Sequence, residues 1–377
     1  MTRSVSAGRE ESQMAVDVLS MDRTALEHLM EEGGLPRYRG RQLFHALWKT
    51  RVASYDALSV WPATLRSRAA AEWPLVRVVP VERQQARDGT EKIVVGLFDG
   101  ERVEMVLLPH RFGWSVCVST QVGCAIGCHF CASGLAGKTR NLSAGEIADQ
   151  VALGETLLAE RGERVRRVDL MGIGEPLDNY AGTVAGLRLM HDPDGLGLSY
   201  RHLTVSTSGL APRIRKLADE GMPVTLAVSL HAPNDAVRGE LMPVNRAYPI
   251  APLMDALATY WERTRRRITY EYLLIDGVND GLTLARELVR LVRRFPCHVN
   301  LIPWNPVPEF PYRPSPPAQV TAFRTVLDEA GISCTVRREL GQEIEAACGQ
   351  LRRGLGAGPT PASGQQPSER PLSRGGA

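Results

Sequence analysis

The sequence predicts an α/β protein whose main domain is a partial, open-sided (βα)6 barrel, preceded by a small N-terminal helical domain and a β-hairpin. Two observations support this prediction. Beyond Trp114, six short apolar segments alternate with stretches of helical spacing, which is the pattern of parallel βαβ units. Six units are fewer than the eight of a closed barrel, so one side would stay open. A doubly wound sheet is the alternative that the pattern leaves open.

Length, charge and cysteine usage narrow the class of protein. A chain of 377 residues can bury one large core and a small additional domain. Its seven cysteines, four of them scattered, do not form the framework of a disulfide-rich secreted protein. The sequence has no apolar run of signal-peptide or membrane-span character, and we expect a protein of the reducing cytoplasm with no membrane partner. The net charge of +3 is compatible with nucleic acid without requiring it.

Composition and periodicity divide the chain into four regions. Residues 1–21 are polar and unpatterned, which predicts a disordered leader. Residues 22–90 carry leucines and aromatics at helical spacing, which predicts a helical accessory domain. Its basic stretch, residues 36–44, has interleaved aromatics that suit RNA, although a solvated helix start explains it almost as well. Residues 91–353 are assigned to the barrel domain, and the Gly, Pro, Ser and Gln-rich residues 354–377 to a disordered tail.

The barrel domain begins with the predicted hairpin. Two β-rich segments, 92–98 and 101–108, flank the pair Asp99-Gly100, which favours a tight turn. Barrel strands are predicted near residues 115–119, 168–171, 203–206, 225–230, 269–275 and 299–302. Ser143 and Glu146 have the spacing of a capping box that begins the first barrel helix. Further helices are predicted near residues 212–220, 250–263, 282–294 and 318–330.

Three cysteines with CxxxCxxC spacing follow the first predicted barrel strand: Cys124, Cys128 and Cys131. Three thiolates on a short loop can hold a four-iron cluster and leave one iron open for a molecule that chelates through amino and carboxylate groups. S-adenosylmethionine has both groups. The alternative is a structural zinc site, but such sites usually add a second cysteine pair or histidines downstream, and this sequence has no second pair.

Polar residues also follow the other predicted strands, where the active site of a barrel enzyme gathers. Gly174 lets backbone approach a ligand, and the Glu175 carboxylate can accept a hydrogen bond from an amine. Hydroxyl, imidazole and amide groups suited to ribose or carboxylate oxygens stand at Ser206, Ser229, His231 and Asn305. Each has an ordinary alternative, because glycines and serines form turns, an asparagine before proline forms Asx turns, and a lone histidine is usually structural.

Beyond these sites, several longer motifs carry a family resemblance. They are CVSTQVGC at 117–124, the run 124–142, LMPVN at 241–245, IDGVND at 275–280, CHVNLIP at 297–303 and AACGQL at 346–351. With them the chain resembles the radical SAM RNA methyltransferases of the RlmN and Cfr family, over nearly all of residues 22–353. The resemblance is closest to RlmN.

The resemblance implies a cofactor set and a substrate. It implies a [4Fe-4S] cluster on Cys124, Cys128 and Cys131, and two molecules of S-adenosylmethionine per turnover. The residues that it implies for binding S-adenosylmethionine are Gly174, Glu175, Ser206, Ser229, Leu230, His231 and Asn305. The implied reaction is methylation of carbon 2 of adenosine 2503 in 23S rRNA, and of carbon 2 of adenosine 37 in tRNAs.

In the scheme that the resemblance implies, Cys348 first takes a methyl group from S-adenosylmethionine. A radical generated from a second molecule removes hydrogen from that methyl, and the carbon radical attacks adenine. Glu104 matches the proton acceptor, and Cys117 matches the cysteine that displaces Cys348 through a transient disulfide, which a cytosolic electron donor reopens. Without the resemblance, Cys117 and Cys348 would be core residues and Glu104 an exposed hairpin carboxylate.

The sequence departs from the family pattern at a few places. Ile173 stands where methionine is usual, and Gln342 replaces an aspartate. The segment 112–114, Phe-Gly-Trp, is closer to Cfr, whose members methylate carbon 8 of the same rRNA adenosine. Methylation of carbon 8 therefore remains an alternative, as does a non-catalytic zinc and RNA-binding protein. A monomer is the default for an enzyme that acts on a bulky RNA through an open barrel.

Overall fold

The computed structural model describes residues 16–338 and 340–352. Its N-terminal part holds three helices, α1 (Arg23–Glu32), α2 (Tyr38–Trp48) and α3 (Ala63–Glu72), so the short helices predicted there are confirmed. Their apolar faces are buried because leucines and aromatics recur at helical spacing. Leu26, Met30, Phe44 and Trp48 are almost completely shielded from solvent.

Residues 16–21, assigned by polarity to a disordered leader, are structured. Val18–Ser20 form a short 3₁₀ helix in which Val18 and Leu19 are buried. The Ser20 Oγ accepts a hydrogen bond of 2.9 Å from the Gly145 amide, and a side chain at Gly145 would collide with Leu19. Two apolar residues are too few to produce a helical pattern, so the sequence placed this boundary too late. Residues 1–15 and the predicted tail 354–377 lie outside the described residues.

Twelve strands occur in the described part of the chain. They are β1 (Val79–Gln85), β2 (Glu91–Gly96), β3 (Arg102–His110), β4 (Gly113–Cys117), β5 (Gln121–Gly123), β6 (Lys138–Asn141), β7 (Val165–Leu170), β8 (Leu203–Thr207), β9 (Thr225–Ser229), β10 (Ile268–Leu274), β11 (Cys297–Pro303) and β12 (Cys334–Val336). Ten form one sheet in the order β1-β2-β3-β4-β7-β8-β9-β10-β11-β12, and β5 pairs with β6.

The sheet order decides between the two predicted architectures. From β4 to β12 neighbouring strands are parallel and follow the order of the chain. A doubly wound sheet reverses its order at a switch point, whereas sequential order is that of a barrel wall. The α/β fold is confirmed. The parallel part has one more strand than predicted, because β12 is only three residues long and half-buried.

Helices connect the parallel strands. They are α4 (Ala144–Ala159), α5 (Tyr180–His191), α6 (Ala211–Asp219), α7 (Asp235–Leu241), α8 (Ile250–Thr264), α9 (Leu282–Val292) and α10 (Pro317–Glu329). The capping box of Ser143 and Glu146 is confirmed. Helix α5 lacks a strong sequence signal because it contains Gly182 and Gly186. A side chain at Gly182 would lie 2.7 Å from the Leu142 carbonyl oxygen, so the glycine permits close packing.

The predicted hairpin is part of a larger antiparallel unit. Strands β2 and β3 pair around Asp99-Gly100 as expected, and β1 and β4 extend the sheet on either side. Strand β1 is largely exposed and reads VPVERQQ, so it has no apolar alternation to reveal it. Through β4 this unit continues directly into the parallel strands. Residues of the hairpin thereby reach the edge at which the parallel strands end.

Candidate active site

The three cysteines of the CxxxCxxC motif lie on the loop between β5 and β6. A backbone hydrogen bond from Cys124 N to Gly137 O, at 3.1 Å, joins the two ends of this loop, and another from Ala132 N to Gly349 O, at 2.8 Å, anchors its middle. Cys124, Cys128 and Cys131 are partly exposed and line a single cavity of about 160 Å³. The structure therefore brings together three thiols that the sequence predicted as ligands.

The loop can turn only because Gly123 has no side chain. Its φ is +76°, and a Cβ there would collide with the carbonyl of Gly137. We expect Gly123→Ala to lower the free energy of unfolding by roughly 3 kcal/mol or more, because backbone strain and overpacking add. Urea unfolding monitored by circular dichroism, together with iron analysis of anaerobically reconstituted protein, measures the effect.

Gly221→Ala is the matched control for this prediction. Gly221 also has a positive φ, +67°, but no atom lies within 4 Å of its missing Cβ. Only the conformational strain of about 1 kcal/mol is expected there, with unchanged iron content. Equal losses in the two variants would contradict the steric explanation.

The chemistry of the three thiols suits a multi-iron cluster. Burial raises the pKa of the Cys124 thiol to about 12 and also raises the pKa values of Cys128 and Cys131, and repulsion from neighbouring thiols, which for Cys131 is Cys348, adds to this. Raised pKa values favour the protonated thiols, and metal binding reverses this preference because cysteine ligands bind as thiolates. Within the described residues no three His, Cys, Asp or Glu side chains converge on one ion. A cluster places its thiolates on separate iron atoms, so three thiols that line one cavity without converging on a single ion fit it.

The second wall of this cavity comes from the segment after β7. Gly174 has a φ of +110° and packs so closely on Gln121 that a Cβ would lie 2.6 Å from the Gln121 Cβ. Glu175 is buried and accepts hydrogen bonds from Leu177 N at 3.0 Å and Ser208 N at 2.6 Å. Burial raises the pKa of the Glu175 carboxyl. Glu175 thus braces the ends of two strands while it lines the cavity.

The ends of β8 and β9 complete this wall. Ser206, Ser229 and His231 line the cavity, as the sequence predicted. The His231 Nδ1 accepts a hydrogen bond of 3.0 Å from Leu273 N, and burial lowers the pKa of the ring to about 3. A neutral ring whose Nδ1 accepts must carry its proton on Nε2, so His231 can donate to a ligand. Leu230 is completely buried, and its amide donates to the Glu271 carbonyl at 3.1 Å.

An arginine that sequence reasoning missed holds these strand ends together. Arg238, on α7, is completely buried and donates to the Ser208 carbonyl at 2.6 Å and to Asn245 Oδ1 at 2.7 Å. It also donates to the carbonyl of Leu230 at 3.2 Å. Burial of a guanidinium is unfavourable unless its N–H groups are hydrogen-bonded to several acceptors at once. Nothing in its sequence neighbourhood distinguishes it from an arginine on a solvated helix.

Asn305 is placed differently from the other predicted ligands. It lines a second, larger cavity of about 860 Å³. Its Nδ2 donates to the Cys348 carbonyl at 3.1 Å, and its Oδ1 accepts from Gln342 Nε2 at 3.1 Å. In this structure the Asn305 amide therefore positions the segment that carries Cys348, and does not face the smaller cavity.

Cys348 lies at the junction of the two cavities and lines both of them. The backbone around it is tied to the cysteine loop, because Gly349 O accepts from Ala132 N and Leu351 O accepts from Ser133 Oγ at 2.8 Å. Cys117, at the end of β4, lines the larger cavity. Burial strongly raises the pKa of the Cys117 thiol. The two cysteines, 231 positions apart by number, thus share one cavity.

Glu104 lies beneath the C-terminal segment on the same face of the sheet as Cys117. Val106 pairs with Cys117 across β3 and β4, and Glu104 is two residues from Val106, so its side chain points the same way. Glu104 is only 8% exposed. Its Oε2 accepts a hydrogen bond of 2.8 Å from Arg352 N, and its Oε1 lies 3.4 Å from Lys92 Nζ. Burial raises its pKa. The interpretation of Glu104 as an exposed hairpin carboxylate is wrong.

Two further charged residues at this junction were missed. Arg337 Nη1 lies 3.6 Å from Cys348 Sγ and 3.7 Å from Glu271 Oε2. Glu271 is buried and lines the smaller cavity, and its Oε2 has no hydrogen-bond partner, so it can accept from a bound ligand. The sequence signal that could have identified Glu271 is that it is the one acid in the otherwise largely apolar strand β10. Arg337 follows the three-residue strand β12, and no sequence pattern marks it.

Among the described residues no helix is long and apolar enough to cross a membrane.

Comparisons with known proteins agree with this arrangement. The Radical SAM superfamily model matches residues 118–288, which include the cysteine loop and the ends of β7, β8, β9 and β10. The chain is 51% identical over 327 residues to a probable dual-specificity RNA methyltransferase RlmN from Symbiobacterium thermophilum, covering 86% of this chain and 88% of that protein. It is 46% identical to the protein of the same name from Halalkalibacterium halodurans, covering 87% and 90%.

Among solved structures, a radical SAM methyltransferase from Sphaerobacter thermophilus superimposes with a TM-score of 0.86. The two chains are 45% identical, and the match covers 89% of this chain and 99% of the other.

Proposed function

Because the chain belongs to the RlmN family of radical SAM RNA methyltransferases, we propose that its target is carbon 2 of adenosine 2503 in 23S rRNA. The chain is an S-adenosylmethionine-dependent RNA methyltransferase, of a superfamily that uses a [4Fe-4S] cluster. One observation carries the proposal for its mechanism. Cys348 faces both the cavity of the three cysteines and the cavity of Cys117.

The smaller cavity is the proposed cofactor site. Cys124, Cys128 and Cys131 hold the cluster. When bound, the cluster and two molecules of S-adenosylmethionine per turnover supply a methyl group and the radical that activates it. The wall opposite the cysteines offers the groups that an amino acid and a ribose need, with Glu175 and His231 as hydrogen-bonding partners. The remaining proposed ligands are Gly174, Ser206, Ser229, Leu230 and Asn305, the last through the Cys348 segment.

Cys348 is the proposed methyl carrier. A ring carbon of adenine is too weak a nucleophile to displace a methyl group directly, whereas a thiolate displaces it readily and a carbon radical can then add to the ring. The carrier must reach the cofactor side to be loaded and the RNA side to deliver. The junction of the two cavities meets both needs, and Arg337 holds the sulfur there.

Cys117, which lines the larger cavity, and Glu104, which lies beneath the C-terminal segment at Arg352, complete the proposed cycle. Once the odd-electron adduct has given up one electron, which the bound cluster would take back, Glu104 takes the proton that carbon 2 loses, and its raised pKa makes it a stronger acceptor. Cys117 attacks the Cys348 sulfur, so that an S–S bond forms, the S–C bond to the adduct breaks, and the released carbon takes up a proton as the new methyl. The transient disulfide then accepts two electrons from a cytoplasmic donor.

The proposal includes partners beyond rRNA. The curated relatives are named dual-specificity RNA methyltransferases, and we extend the proposal to carbon 2 of adenosine 37 in tRNAs. The accessory domain, residues 22–90, is the proposed second RNA contact, where the Arg39 guanidinium lies 4.9 Å from the centre of the exposed Tyr38 ring. A monomer in the cytoplasm is the proposed form.

Nucleoside analysis tests the proposed regiochemistry. Anaerobically reconstituted enzyme is incubated with reductant, S-adenosylmethionine and unmodified 23S rRNA or tRNA, and the digested nucleosides are separated beside authentic standards and identified by mass spectrometry. The expected product is 2-methyladenosine. Finding 8-methyladenosine would establish the Cfr-type alternative, and finding neither would overturn both. Colourless, iron-free protein would instead favour the zinc-binding alternative, because the cluster predicts a brown protein with about four irons.

A further inference from the structure

Three side chains near the tip of the β3–β4 hairpin form a continuous stack. The rings of His110 and Phe112 lie 4.7 Å apart with only 10° between their planes. The guanidinium carbon of Arg167, on β7, lies 4.4 Å from the centre of the Phe112 ring. We call these three residues the hairpin-tip stack. Its Phe112 is 50% exposed, although it already has two partners.

The stack is held in place by its backbone and by one hydrogen bond. The His110 Nε2 is hydrogen-bonded to Ser115 Oγ at 2.9 Å. Gly113 takes a φ of +111° in the tight turn, where a Cβ would lie 2.7 Å from Arg166 Cγ. Burial lowers the pKa of His110, so its ring is neutral at neutral pH. The Phe112 ring, half of which is exposed, is therefore held in position before a partner binds, which reduces the entropy lost on stacking.

The hairpin-tip stack lies at the cavity where RNA would react. His110, Arg111 and Phe112 line the 860 Å³ cavity that Cys117 and Cys348 also line. Cys117 and Gly113 are the two ends of the same strand, about 13 Å apart at the usual rise per residue. The stack is thus separated from the reacting cysteines by a short distance along the wall of one cavity.

The charges around the stack suit a polyanion. Among the described residues that line the cavity, three arginines (Arg111, Arg337 and Arg338) stand against two aspartates (Asp88 and Asp169). Arg167, which is itself part of the stack, adds a further cation. Aromatic rings and guanidinium planes together are the surfaces on which proteins stack unpaired nucleobases. An apolar peptide would gain nothing from these arginines, so charge favours a nucleic acid.

We propose that the hairpin-tip stack binds a nucleobase of the substrate RNA that neighbours the target adenosine in the strand, packed against the exposed part of Phe112. This deepens the proposed function and rests on RNA being the substrate. Phe112 acts as a positioning residue, because it holds the RNA strand while the target base enters the cavity. It makes no contribution to loading Cys348 with methyl, which needs no RNA.

A cycle of protein and RNA changes tests the proposal. Dissociation constants are measured by fluorescence anisotropy at one salt concentration, for holoenzyme and a labelled 23S rRNA fragment that the wild-type enzyme methylates. Phe112→Ala is expected to weaken binding by about 5- to 100-fold, and Phe112→Trp to restore it. RNAs that lack the base at single positions beside the target should weaken binding of the wild-type enzyme at one position, where Phe112→Ala adds no further loss.

Phe98→Ala is the matched control. Phe98 is another exposed phenylalanine, 57% accessible, with the Arg140 guanidinium 4.7 Å from its ring centre, but it does not line the cavity. Phe98→Ala should leave the dissociation constant for RNA unchanged. Both Phe98→Ala and Phe112→Ala should acquire the methyl group on Cys348 as the wild-type enzyme does. Equal binding by Phe112→Ala and wild type, or a loss that is the same at every abasic position, would overturn the proposal. Failure of the wild-type enzyme to methylate any RNA would instead overturn the proposed function.

Discussion

Replacing Cys348 by alanine is expected to abolish RNA methylation while the protein keeps about four irons per chain. The loss should be about 1,000-fold or more, because removing a covalent nucleophile removes the whole pathway that depends on it. Iron should stay, because Cys348 lies at the mouth of the smaller cavity and is additional to the three motif cysteines. Scintillation counting of RNA methylated with labelled S-adenosylmethionine, beside iron analysis of the same preparation, measures both quantities.

Cys334→Ala is the control for this variant. Cys334 lies on β12, three positions before Arg337, and lines neither cavity. It should methylate RNA like the wild-type enzyme. Intact protein mass should also show a methyl group on the wild-type chain after incubation with S-adenosylmethionine, and none on Cys348→Ala. Substantial RNA methylation by Cys348→Ala would contradict its role as the carrier.

Replacing Cys117 by alanine is expected to trap the enzyme on its substrate. Without the Cys117 thiol nothing attacks the Cys348 sulfur, so the covalent link between Cys348 and the RNA base persists and turnover stops. A slowly migrating protein–RNA band should appear on denaturing gels. Because the link is an S–C bond, the band should resist thiol reductants and disappear with ribonuclease.

Two further variants separate trapping from misfolding. The double variant Cys117→Ala, Cys348→Ala should form no adduct, because it has no carrier. Cys297→Ala should turn over normally, since Cys297 is half-buried on β11 and lines neither cavity. Multiple turnovers by Cys117→Ala would exclude the proposed disulfide, and an adduct in the double variant would place the link on another residue.

Local features of this chain were predictable because short-range geometry determines them. Six of the seven parallel strands were placed within a few residues, since buried parallel strands are continuous apolar runs. The turn at Asp99-Gly100 and the capping box at Ser143 were predictable because each depends on two residues close in sequence. Strands β1 and β12 and helix α5 were not, since an exposed strand, a three-residue strand and a glycine-containing helix carry almost no periodic signal.

The same contrast holds for the candidate site. The spacing of Cys124, Cys128 and Cys131 predicted that they share a cavity, and strand-end positions predicted that Ser206, Ser229 and His231 face them. Glu104 and Cys348 could be selected only through family resemblance, because a hairpin acid and a lone cysteine have no local signature. Family resemblance also implied that Asn305 binds S-adenosylmethionine. In the structure its amide instead contacts the Cys348 segment and lines the larger cavity.

The sequence by itself determined the α/β class, the places of six parallel strands along the chain and the spacing of the three candidate ligand cysteines, because each follows from a pattern within a short segment. Only the tertiary structure decided that Arg337 and Glu271 meet at Cys348, that Cys348 borders two cavities, and that Arg167 completes a stack with His110 and Phe112. Each of these contacts joins segments that are far apart in the sequence, and the distances depend on how the strands that carry or precede those segments pack in the sheet. Charged residues leave no periodic trace of such packing.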